Sequence, residues 1–97
     1  MKKAFIMFYI VCYDTPSDKR RRKIVNVLKN HIRHVQKSVF EGHLSKEKYD
    51  KMAELLEKNV DAAEDSIRIY ELPKDMVLKI KAFGQPPVTD DPSFYMV

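Results

Sequence analysis

Phe5-Ile6-Met7-Phe8-Tyr9-Ile10-Val11-Cys12-Tyr13-Asp14 decides the fold. The run is rich in aromatic and β-branched side chains, contains neither Gly nor Pro, and stays apolar without alternation until Asp14. Such a stretch reads as a strand buried on both faces, which puts it at the centre of a sheet. Asp14 then falls at the sheet's C-terminal edge, where the backbone diverges towards the next helix and the core strand holds a side chain still. It is the first candidate for chemistry, weighed against the commoner role of an Asp in that position, a turn residue.

Downstream, Thr15 as N-cap, Pro16 at the first helical position and Asp18 at capping-box spacing predict a helix from Pro16 or Ser17 to about Ile32. Ile24, Val27, Leu28 and Ile32 form its apolar stripe. The block Lys19-Arg20-Arg21-Arg22-Lys23 is either a solvated face or a contact for a polyanion. Residues 33–44 have β character, as one strand or two, with a bulge or bend expected at Gly42. Ser45 caps a second amphipathic helix over 46–59, burying Tyr49, Met52, Ala53 and Leu56. An acidic loop, 61–65, leads into the alternating strand 65–72, which Pro73 ends. A further strand is expected over 77–83, closing at Gly84, before a tail broken by Pro86, Pro87 and Pro92.

That order predicts an α+β ferredoxin-like βαββαβ sandwich with an additional C-terminal strand, built as one domain over 1–84 with a Pro-rich tail, 85–97. One sheet face would lie bare, and a symmetric homodimer using the extra strand and the tail would cover it. The chain has 97 residues and a net charge of +4, with the basic residues concentrated early, which suits nucleic acid as a partner. Its single cysteine, Cys12, lies in the buried run and offers neither a disulfide framework nor a thiolate metal site. The first apolar run is too short to span a bilayer and ends without a cleavage signal, so a cytoplasmic setting with no membrane role is expected.

Four strings occur in one order and spacing: Tyr13-Asp14, Arg20-Arg21-Arg22-Lys23, Val35-Gln36-Lys37-Ser38-Val39-Phe40-Glu41, and Asp65-Ser66-Ile67-Arg68-Ile69-Tyr70. Together they resemble the CRISPR-associated Cas-two family, small nuclease-like proteins of the spacer-acquisition machinery, over nearly the whole chain to about Gly84. The resemblance implies a ferredoxin-like homodimer whose two Asp14 carboxylates face one another across the two-fold axis and bind Mg2+ or Mn2+. It implies Asp14 as the catalytic and metal-binding residue, Arg21 and Lys23 as basic positions beside Arg20, Arg22 and Arg33 for nucleic acid, and Tyr13, Ser38 and Phe40 as supporting residues. Physical chemistry agrees on the pairing: a hard divalent cation favours one or two carboxylates plus water, and a lone Asp binds it poorly. The sequence departs from the family pattern at His34, where Arg is usual, so a phosphate contact there weakens or moves to Arg33.

The resemblance implies a Mg2+-dependent endonuclease that cuts DNA or RNA in CRISPR adaptation and antiviral defence. An alternative of a different class is a non-catalytic dimeric scaffold that holds duplex DNA and bridges the CRISPR integrase. A toxin-like RNA interferase on the same fold is a third reading.

Overall fold

In the computed structural model, which describes residues 5–89, the apolar run is paired along both edges. It forms β1 (Ile6–Asp14), followed by α1 (Asp18–Lys29), β2 (Arg33–Gln36), β3 (Val39–Ser45), α2 (Lys46–Asn59), β4 (Ser66–Leu72) and a 3-10 helix, Lys74–Lys79. The strands lie in the order β2-β3-β1-β4, every neighbouring pair antiparallel. This is the ferredoxin-like βαββαβ arrangement expected. Among the described residues no helix is long and apolar enough to cross a membrane.

Alternation along β1 splits its side chains between two layers. Tyr9, Val11 and Tyr13 join Ile24 and Leu28 of α1, Phe40 and Leu44 of β3, and Met52 and Leu56 of α2 in the core. Fully burying a side chain of this size contributes about 1.5–3 kcal/mol, so Phe40, Ile24, Leu28, Met52 and Val11, all fully buried, carry much of the stability. On the opposite face Phe8 meets His43 edge to face, ring centroids 4.8 Å apart. That face is not bare in the single chain. The 3-10 helix packs against β1, residues 80–88 run past Val35, Val39 and Glu41, and the Thr89 amide donates to Glu41 Oε2 at 2.8 Å.

Four local expectations are corrected. The strand expected over 77–83 does not form: Pro73 starts a turn, its carbonyl accepts from the Met76 amide at 2.9 Å, and the chain winds into the 3-10 helix. Residues beyond it have no strand partner among the described residues, and extended backbone becomes a strand only when another strand bonds it. Ser17, not Thr15, caps α1, its Oγ accepting from the Arg20 amide at 3.1 Å. The helix stops at Lys29, short of Ile32, with Asn30 as its cap. Gly42 makes no bulge; it pairs regularly with Tyr9, and the irregularity falls between His34 and Gln36. The expected docking of the last residues lies outside the described range.

Candidate active site

Asp14 is solvent-exposed, and the backbone on each side of it is pinned. It forms the last rung of the β1–β4 ladder, opposite Ser66. Upstream, the buried Tyr13 donates from its amide to Ser38 O at 3.1 Å and from its phenol to Lys37 O at 3.2 Å, fastening the β2–β3 turn to the end of β1. Downstream, Thr15 Oγ1 accepts from the Ser17 amide at 3.1 Å and donates to Asp65 Oδ1 at 2.5 Å, while the Thr15 carbonyl accepts from Arg21 Nη2 at 2.7 Å. An exposed acid is thereby held on backbone that cannot drift.

Tyr13, Asp14, Thr15, Arg21, Lys37 and Ser38 line an open depression. It brings one carboxylate, two cationic side chains and the hydroxyls of Tyr13, Thr15 and Ser38 to one sheet edge, where Arg21 is steadied by an ion pair to Asp18. Asp14, Arg21, Tyr13 and Ser38 are thus brought together. Phe40 takes a different place: it is fully buried, stacks on the His34 ring with centroids 4.3 Å apart, and has no face left for nucleic acid. His34 also brings Nε2 to within 3.2 Å of Lys37 O, so it braces the turn in place of contacting phosphate.

The basic block divides. Arg20 Nε donates to Asp65 Oδ2 at 2.7 Å and its Nη2 reaches Asp65 Oδ1 and Glu64 Oε1, both at 3.1 Å. These bonds hold the Asp65 carboxyl well below the usual carboxylate range, first through Arg20 and then through Thr15 and the Asp61 amide, against the opposing effect of burial. They raise the Arg20 guanidinium in turn, Asp65 first. Arg20 is therefore a structural tie between α1 and the 61–65 loop. Arg22 and Lys23 are exposed and form no ion pair with a described residue. Arg33 is exposed but opposite Glu41, itself opposite Ile10, which leaves it roughly 13 Å along the strands from Asp14.

Asp65 and Lys37 join the site without having been expected there. Asp65 reads as the end of an acidic loop and the start of the string Asp65-Ser66-Ile67-Arg68-Ile69-Tyr70, and its position beside the strand that pairs with Asp14 is the signal that could have marked it. Among the described residues no group of three or more His, Cys, Asp or Glu is placed to hold a metal ion. One chain offers a cation a single free carboxylate here.

A ferredoxin-like sandwich whose central strand ends in a pinned, exposed acid defines a class of small α+β proteins. The chain belongs within it to the CRISPR-associated Cas2 family: the model described as CRISPR associated protein Cas2 matches residues 7–80. A Synechocystis protein named CRISPR-associated endoribonuclease Cas2 3 is 36% identical over 92 residues, covering 95% of this chain and 100% of that one. A solved structure of a hypothetical protein from Thermus thermophilus matches with a TM-score of 0.73 at 32% identity, over 84% of this chain and 95% of that one. A chain from a structure described as a partial Cas6-RT-Cas1–Cas2 complex matches with a TM-score of 0.69 at 26% identity, over 89% and 94%.

Proposed function

We propose that the protein is a CRISPR-associated, metal-dependent endonuclease in which the Asp14 carboxylates of two copies share one Mg2+ or Mn2+ ion. The observation that carries this reading is the exposed Asp14 side chain on backbone fixed from both sides. A single carboxylate is a poor cage, but Mg2+ keeps several waters and is commonly held by only one or two carboxylates, so a symmetric pair fits its chemistry. When bound, the cation polarises the scissile phosphate and makes its water a better nucleophile. In this reading Asp14 orients that centre, Arg21 and Lys37, which line the same depression, offset phosphate charge, and the Ser38 hydroxyl supplies a hydrogen bond to a phosphate oxygen.

The homodimer has support of its own. Among the described residues β4 is an edge strand, and Leu78 and Phe83, 88% and 93% exposed, follow it on a segment with no strand partner there. Unpaired edges and exposed apolar side chains both favour a second copy. On substrate, the relatives' name of endoribonuclease favours RNA, and the positive charge suits either nucleic acid. The test is cleavage of labelled single-stranded RNA and duplex DNA with Mg2+, with EDTA, and by Asp14→Ala. Loss in the last two supports the reading; unchanged cleavage by purified Asp14→Ala refutes it.

The similarity to a chain solved within a Cas1–Cas2 assembly favours a second reading, a dimeric scaffold that holds duplex DNA and bridges the integrase in spacer acquisition. In that case Asp14→Ala retains duplex binding and supports integration at the native rate.

A further inference from the structure

We infer that Asp65, acting through Thr15, is the positioning residue for Asp14; this rests on the proposed role of Asp14. The Asp14–Ser66 pair is the end rung of its ladder, and end rungs open easily because nothing holds their outer side. Here the residues one step beyond that rung, Thr15 and Asp65, are themselves joined, Oγ1 to Oδ1 at 2.5 Å. The bond closes the ladder with side chains where its backbone pairing stops.

The chemistry sets the direction of this bond. An amide can only donate, so Thr15 Oγ1 accepts from Ser17; an ionised carboxylate can only accept, so the same hydroxyl gives its proton to Asp65. Asp65 is fixed in turn. Its side chain is fully excluded from solvent and accepts from Thr15 Oγ1, Arg20 Nε at 2.7 Å, Arg20 Nη2 at 3.1 Å and the Asp61 amide at 2.9 Å. A carboxylate bonded this fully has one low-energy position. The chain from 61 to 65, the first turn of α1 and the end of β1 therefore move together, and Asp14 inherits their rigidity. A charge shared between two copies needs this, because a drift of either carboxylate removes half of the donor set.

The test measures Mn2+ affinity by electron paramagnetic resonance without substrate, alongside kcat and KM. Thr15→Val, which deletes the hydroxyl, is expected to weaken Mn2+ binding about tenfold, as losing an outer orienting partner commonly does. It should lower kcat while leaving KM for nucleic acid unchanged, and Thr15→Ser, which keeps the hydroxyl, should restore both. A role in stability alone would lower the Tm of Thr15→Val and leave Mn2+ affinity of the folded dimer untouched, overturning the inference. If Thr15→Val does not fold, Asp65→Glu, which keeps the charge and shifts the acceptors by one methylene, carries the same readouts. Native Mn2+ affinity in Asp14→Ala would overturn the Asp14 reading itself. Loss in Asp14→Ala with native affinity in the Thr15 and Asp65 variants would overturn only the positioning role.

Discussion

Replacing Gly42 by Ala tests how the loop between α1 and β2 is seated on the sheet. A Cβ at Gly42 would lie 2.8 Å from Ile32 Cγ2, 3.0 Å from its Cβ and 3.4 Å from its Cα. Carbon atoms rest at about 3.5–4.0 Å, so the new methyl intrudes by roughly 0.7 Å at its worst contact. Ile32 is only 9% exposed and β-branched, with few rotamers to escape into, and its own backbone is in reach of the clash. Relief must come from lifting the loop off β3. Overpacking of this kind costs about 1–3 kcal/mol, and removing Gly from a strand interior returns about 0.5–1 kcal/mol, so the middle of the two ranges gives a net loss of about 1 kcal/mol. Urea unfolding followed by circular dichroism at fixed protein concentration measures it; for a domain this small each kcal/mol also lowers Tm by about 4–8 °C. In an Ile32→Ala background the same Gly42→Ala change should cost less, because the 2.8 Å contact to Cγ2 is gone while the 3.0 Å contact to Cβ remains. An unchanged urea midpoint, or an equal cost in both backgrounds, would refute the reasoning.

Charge reversal at Arg22 and Lys23 should weaken nucleic-acid binding in fluorescence anisotropy and reduce the slope of log affinity against log salt by about one for each phosphate no longer neutralised. Arg20→Ala should instead lower stability and leave that slope alone, since its guanidinium is taken up by Asp65 and Glu64. Because the Asp65 carboxyl is held below its unfolded value, about 3.9, its contribution to stability is complete above that pH and is lost as pH falls towards the folded value. Acid unfolding of Asp65→Asn should therefore be flatter than native below about pH 4. Phe83→Ser together with Leu78→Ser should shift the proposed dimer to monomer in sedimentation velocity; an unaltered dimer would exclude that apolar segment from the interface.

What the amino-acid order made legible was the framework. The unbroken apolar run of β1, the cap at Ser45 and the alternation of β4 are local signals, and each element formed where its own residues asked for it. The errors fell where two parts of the chain compete. Thr15 has every local mark of an N-cap, yet a carboxylate fifty residues away takes its hydroxyl, and Ser17 caps the helix in its place. Residues 77–83 have strand composition but no strand to pair with among the described residues. Gly42 stands out in a strand, and the reason is the Ile32 side chain above it, which no reading of β3 alone supplies. In the site, Asp14 was visible because it interrupts an apolar run, whereas the split of the basic block into Arg20 as a tie and Arg22 and Lys23 as free cations depends on the partner loop.

β1 is hydrogen-bonded to a neighbour on both sides from Phe8 to Cys12, so its amides should be the last in the molecule to exchange with deuterium. Asp14 lies two residues beyond that slowest-opening segment, on the same strand. On the proposed function, adaptation to an incoming strand of nucleic acid then falls mainly to the guest, which must bend to meet an anvil backed by that strand.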